Sequence, residues 1–207
     1  IGLQLARALA GRGHHVVAAV RRSSPQLDAL GVQVEPGVDV TDDAAVSALA
    51  GRLDGVVLDL LICNAGVLSR QTLDRLDFDA MRHQFEVNSL GPLRVVGALR
   101  ANLRAGSKVG IITSRMGSIA DNESGNYYGY RMTKAALNMA GVNLAHDFRD
   151  LGIAVVMLHP GLVATEMTGR VGIPPAESAA GLIARIDELA LRDSGSFWHA
   201  NGEPLPW

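Results

Sequence analysis

Tyr130 and Lys134 stand four residues apart in Tyr130-Arg-Met-Thr-Lys134, sixteen residues beyond Ser114 of Ile-Thr-Ser114-Arg-Met-Gly-Ser. On a helix, side chains at that spacing share one face, with Cβ atoms roughly 5–6 Å apart. An ammonium so placed favours phenolate over phenol, which predicts a Tyr130 pKa lowered from about 10 toward neutrality. A phenol tuned in this way exchanges a proton with an alcohol or carbonyl oxygen at neutral pH. Ser114 supplies a second hydroxyl to the same oxygen. Together they form an apparatus for reducing a carbonyl or oxidising an alcohol, with a nicotinamide giving or taking the hydride.

These side chains need a scaffold, and the chain alternates helical and strand signals from end to end. Helices are predicted over 1–12, with Gly13 as a stop, then 25–30, a segment capped by Thr41-Asp42-Asp43 and running to 53, 78–103, 128–151 and 176–191. Gly91-Pro92 would bend the fourth of these. Short apolar runs at 15–20, 32–35, 56–63, 108–113, 153–158 and 196–198 read as strands. Strands apolar throughout and separated by helices imply a parallel sheet covered on both faces. The fold class is therefore α/β: a doubly wound, mostly parallel, Rossmann-like sheet in three layers, α/β/α. Ligands in such folds sit beyond the carboxyl ends of the strands. Asn64, Ser114 and Pro160-Gly161 all fall there, so one rim collects the candidate residues.

Composition narrows the function classes. A chain of 207 residues suits one domain with one sizeable core. A net charge of −2 without a basic run gives no support to nucleic-acid binding. No apolar stretch approaches the roughly 18 residues of a membrane span, and no signal peptide opens the chain. The single cysteine, Cys63, has no partner for an internal disulfide and lies in an apolar run, which suits a packed thiol in a cytoplasmic protein. The six histidines are not grouped with acids or with the cysteine, so no metal site is expected.

The chain resembles the short-chain dehydrogenase/reductase family over essentially its whole length. The matching pieces occur in the family's order: Asp39-Val40-Thr-Asp, Asn64-Ala65-Gly66, Asn88 in Val-Asn88-Ser-Leu-Gly-Pro, Ser114, Tyr130 with Lys134, and Pro160-Gly161-Leu-Val163-Ala-Thr165. Cys63 replaces the first Asn of the family's Asn-Asn-Ala-Gly motif. The spacing of sixteen between Ser114 and Tyr130, the run Asn-Tyr-Tyr-Gly-Tyr130 and the ending Gly202-Glu-Pro-Leu-Pro-Trp207 are similar to carbonyl reductases of the sniffer and C-factor type.

The resemblance implies roles. Tyr130 is the general acid in reduction and the base in oxidation. Lys134 supports it and bonds the nicotinamide ribose, Ser114 holds the substrate oxygen, and Asn88 anchors a water in a proton relay through Lys134. Asp39 and Val40 face the adenine. Asn64, Ala65 and Gly66 line the adenine ribose side, and Pro160, Gly161, Val163 and Thr165 flank the nicotinamide amide. Members preferring NAD place a carboxylate at the end of the strand corresponding to 15–20; here Val20-Arg21-Arg22 offers a guanidinium suited to a 2′-phosphate, so NADP(H) is expected over NAD(H). A small-molecule carbonyl or alcohol substrate and a homo-oligomer, dimer or tetramer, follow from the same resemblance. The C-factor likeness also admits a signalling or scaffold role with little turnover. The segment between Thr165 and Ala176 is short for the family's substrate lid and points to an open pocket.

One departure stands at the front. Of the family's phosphate loop, Thr-Gly-x-x-x-Gly-Ile-Gly, only Ile1 and Gly2 are present, and they are assigned to the cofactor site on that basis. The expectation is an N-terminally truncated single domain over 1–207, lacking the first strand. Two strand edges would then go unpaired and the pyrophosphate site would be weakened.

Overall fold

The computed structural model of the chain describes all residues, 1–207. Its helices are α1 (Gly2–Gly11), α2 (Pro25–Asp28), α3 (Asp43–Arg52), α4 (Phe78–Phe85), α5 (Gly91–Ala98), α6 (Tyr128–Arg149) and α7 (Pro175–Glu188). Its strands are β1 (Val17–Ala19), β2 (Gln33–Glu35), β3 (Leu60–Cys63), β4 (Lys108–Ile112), β5 (Ala154–His159) and β6 (Ser196–His199). Every ladder between these strands is parallel.

The strands form two ladders rather than one: β1 with β2, and β3-β4-β5-β6 in that order. No backbone hydrogen bond joins β1 to β3. The predicted strand at 56–63 is also shorter in the structure. The ladder to β4 starts only at Leu60 opposite Lys108, leaving Val56 and Val57 exposed ahead of it.

Side chains on a strand alternate between faces, and β5 shows this clearly. Val155 and Met157 join a core with Val96 of α5 and Leu137, Ala145 and Phe148 of α6. Ala154, Val156 and Leu158 join the opposite core with Leu5 of α1 and Leu182, Ile183 and Ile186 of α7. Both faces are thus covered, which is why this strand has no polar alternation. A third cluster, of Val38, Val46, Leu49, Leu53 and Leu99, takes contacts from Val17 of β1 and Leu61 of β3, so apolar packing spans the gap between the two ladders.

The single long helix predicted over 78–103 is divided. A π-turn at Glu86–Leu90 separates α4 from α5, and a short 3-10 turn at Arg100–Asn102 ends the segment. Pro92 has no N–H and its ring crowds the carbonyl four residues earlier; widening the preceding turn relieves both. Gly91 is required at the junction, since a Cβ there would stand 2.8 Å from Val40 Cγ2.

Candidate active site

Three adjacent strands, β3, β4 and β5, end on one rim, and each delivers a candidate segment: Asn64-Ala65-Gly66, Ser114 and Pro160-Gly161. Helix α6 passes behind them and presents Tyr130 and Lys134. Glycines allow the approach. A Cβ on Gly117 would lie 2.7 Å from the Lys134 carbonyl carbon, so the turn after Ser114 rests directly on α6. A Cβ on Gly66 would be 3.5 Å from Asn88 Oδ1 and 3.8 Å from Lys134 Nζ. The loop leaving β3 therefore touches both predicted members of the proton relay.

Asn88 lies inside the π-turn and is fully buried. Its Oδ1 accepts from Val67 N at 2.8 Å, and its Nδ2 donates to Val67 O at 2.9 Å and to Thr133 Oγ1 at 3.1 Å. Thr133 in turn donates to the Tyr130 carbonyl at 2.8 Å. Thr133 has no place among the sequence candidates; a threonine inside a motif's variable positions carries no signal until its neighbours in space are known. Ser114 caps the short 3-10 turn at Arg115–Gly117, its Oγ accepting from Met116 N at 3.1 Å.

The electrostatics correct one expectation. The Tyr130 pKa is raised, not lowered: burial of the phenol is the larger influence, and the nearby Ser114 hydroxyl offsets it only in part. Lys134 Nζ stands 5.8 Å from the centroid of the Tyr130 ring and donates to the Ile112 carbonyl at 3.0 Å. Burial also disfavours the charge of Lys134 itself, bringing its pKa down to about 8. The helical spacing places the pair as expected, but at this depth desolvation sets the direction of both shifts. The phenol is therefore held protonated at neutral pH.

At the other end of the rim, Asp39 forms a local turn, its Oδ1 accepting from Thr41 N at 2.9 Å and from Thr41 Oγ1 at 2.8 Å. Those bonds hold its carboxyl below the usual range. Arg21, Arg22, Gly37 and Asp39 line one open hollow, with both arginines exposed and unpaired. Val40 packs on Gly91, and its carbonyl accepts from Arg94 at 2.7 Å. Ile1 is the N-cap of α1, and Gly2 faces the Asn64 amide, whose Nδ2 would be 2.8 Å from a Cβ at that position. Beyond β5, Gly161 adopts φ of 85°, a conformation glycine takes freely. Val163 is buried, and Thr165 opens the 3-10 turn at Glu166–Thr168. Ala164 N donates to Ile173 O at 2.9 Å and Ile173 N to Leu162 O at 2.8 Å, tying that short segment down.

These residues suit a dinucleotide. Lys134 uses one of its three donors on Ile112 O, and the free arginines match a 2′-phosphate. Cys63 is inert, its thiol pushed up to about 12 by burial. No three His, Cys, Asp or Glu side chains gather in a form able to hold a metal ion, and no helix is long and apolar enough to cross a membrane.

The family model for short chain dehydrogenases matches residues 1–174. A 1-hydroxy-2-glutathionyl-2-methyl-3-butene dehydrogenase from Rhodococcus sp. (strain AD45) is 47% identical over 214 residues, covering 100% of this chain and 95% of that protein. C-signal of Myxococcus xanthus is 44% identical over 154 residues, covering 72% of this chain and 93% of that protein. Among solved structures, a carbonyl reductase from Pseudomonas aeruginosa PAO1 in complex with NADP superposes with a TM-score of 0.88 at 33% identity, covering 100% of this chain and 94% of that one.

Proposed function

The chain belongs to the short-chain dehydrogenase family, and from that premise we propose that it is an NADP(H)-dependent oxidoreductase interconverting a carbonyl and an alcohol, with Tyr130 as acid and base. The observation that carries this reading is the gathering of Ser114, Tyr130, Lys134 and Asn88 at one rim, each no more than 8% exposed. When bound, the nicotinamide supplies or accepts the hydride. The chain's own residues manage the oxygen and its proton. Ser114 steadies the substrate oxygen as charge develops on it. Tyr130, kept neutral by burial, holds the proton that a nascent alkoxide requires. Lys134, with a pKa of about 8, exchanges protons near neutrality and can reload the phenol. Asn88 fixes the loop beside Lys134 and is assigned to anchor the water of a proton relay through Lys134.

Arg21 is assigned to the 2′-phosphate, with Asp39 and Val40 at the adenine and Asn64, Ala65 and Gly66 along its ribose. Ile1 and Gly2, at the start of the chain, are assigned to the same cofactor, and Gly2 faces Asn64. Pro160, Gly161, Val163 and Thr165 flank the nicotinamide side. The name of the Rhodococcus relative brings one substrate type to this chain: a primary alcohol whose neighbouring carbon carries a glutathionyl thioether.

The test is equilibrium binding of NADPH and NADH to the purified chain, followed by turnover on a panel of aldehydes, ketones and alcohols that includes such a thioether alcohol. NADPH should bind at least about tenfold more tightly, the worth of one charge-assisted hydrogen bond. Absence of cofactor binding by a folded chain would overturn the proposal. A second reading, a signalling protein with little turnover, rests on the likeness to C-signal; its function would survive Tyr130→Phe.

A further inference from the structure

The first turn of α6 carries Tyr130, yet it has no local cap. Its N-cap residue, Tyr127, is left-handed at φ 52° and ψ 40° and makes no side-chain cap bond; Asn126 before it is also left-handed, at φ 54°. Such backbone in non-glycine residues persists only where the surroundings hold it. The first N–H groups of any helix need partners from outside its own ladder.

Here two of them are met by one residue far away in sequence. Gln71 accepts from Gly129 N through its side-chain Oε1 at 3.2 Å, and from Tyr127 N through its main-chain oxygen at 2.9 Å. Gln71 is 2% exposed, and its Nε2 donates to Ser69 Oγ at 2.6 Å. A second glutamine completes the arrangement. Gln84 of α4, 1% exposed, accepts from Ser69 N at 3.0 Å through Oε1. Its Nε2 occupies the space a side chain on Gly129 would need, 2.5 Å from an added Cβ. The loop from Gly66 to Gln71 is thus tied to α6 at both ends, through Asn88 and Thr133 at one and through Gln71 at the other, while Gln84 holds Ser69 and packs on Gly129.

We propose that Gln71 is a positioning residue for Tyr130, a long-range helix cap that locks the turn bearing the phenol to the loop that follows Asn64-Ala65-Gly66. A local Ser or Asp cap would hold the helix end equally well but would leave it unregistered against that loop. The clamp fixes the phenol relative to the segment assigned to the cofactor ribose, so its loss acts on turnover more than on binding. This proposal rests on the catalytic role given to Tyr130.

The test compares Gln71→Leu, which removes the acceptor, with Gln71→Glu, which keeps one. Amide hydrogen exchange without cofactor, NADPH affinity, and kcat and KM on the fastest substrate of the carbonyl panel are measured for each. In Gln71→Leu, exchange at residues 128–131 should speed at least about tenfold while the middle of α6 is unchanged. Its kcat should fall by about 10- to 100-fold, with KM and NADPH affinity within about threefold of wild type. Gln71→Glu should restore most of both. Unchanged exchange in Gln71→Leu would overturn the cap, and faster exchange with intact kcat would overturn the positioning role. A wild-type chain that turns over nothing would defeat the catalytic reading beneath the proposal, while the exchange comparison would still decide the cap. Should Gln71→Leu not fold, Gly129→Ala opens the same clamp by pressing a methyl on Gln84 and Met81, with the same expectation.

Discussion

The two ends of the candidate site are built on opposite plans. At the Tyr130 end, every proposed catalytic side chain is buried, and Asn88 alone spends two hydrogen bonds on a loop and a third on Thr133 of α6. At the Arg21 end, the guanidiniums are exposed and unpaired, and Asp39 is held only by its own neighbour, Thr41. Proton transfer tolerates little misplacement, so its groups are set in advance, at the cost of burying charge. Recognition of a phosphate by charge works over longer distances and tolerates mobile side chains. Damage to the first end should therefore lower kcat, and damage to the second should change cofactor affinity and choice.

After loss of the Tyr130 phenol itself, the largest effect is expected from Lys134→Met: a fall in kcat of about 100- to 1,000-fold, with NADPH binding weakened far less. The same variant carries a signature in stability. The folded-state pKa of Lys134, about 8, lies below the ordinary lysine value of 10.5, so its penalty is complete below about pH 8. That penalty fades as pH rises toward the unfolded value, because the unfolded chain then holds the extra proton. Urea melts should show wild type gaining roughly 3 kcal/mol on Lys134→Met across this window. Parallel curves would contradict the buried ammonium.

Next in size, Asn88→Ala should lose about 2–3 kcal/mol of stability and about tenfold or more in kcat, since the Val67 N–H and carbonyl lose their partner. Denaturant melts and steady-state kinetics check both. Smaller again, Arg21→Asp should weaken NADPH binding about tenfold while sparing NADH and kcat, read by cofactor titration. An unchanged NADPH affinity would remove Arg21 from the 2′-phosphate. The mildest effect at working pH concerns His159, whose pKa burial lowers to about 3, with the charges of His199, Arg115 and Lys134 adding to it. Neutral His159 is favoured in the fold, so stability is lost as pH falls from about 6.5 toward 3. His159→Asn should flatten that acid limb of the melting curve.

Much of this was legible from local pattern. Ser114, Tyr130 and Lys134 meet because strand ends and an i, i+4 helical step fix them without reference to the rest of the molecule. The alternation of apolar strands with helices gave the parallel, two-faced sheet for the same reason. Three things depended on depth or on distant partners. The direction of the Tyr130 pKa turned on burial, which spacing does not encode. The predicted helix over 78–103 broke at a π-turn, because Pro92 and the contact of Gly91 with Val40 act together. Gln71 carried no signal, since a glutamine in a loop reads as solvated until α6 is seen to lack its own cap.

The most direct test of the account is Tyr130→Phe, assayed for NADPH affinity and for turnover on the same preparation. The account predicts affinity within about threefold of wild type and a kcat lowered by roughly 1,000-fold or more, because the phenol's proton is lost and little else changes. Turnover retained in that variant would mean that another group protonates the oxygen, and the proposed mechanism would fall.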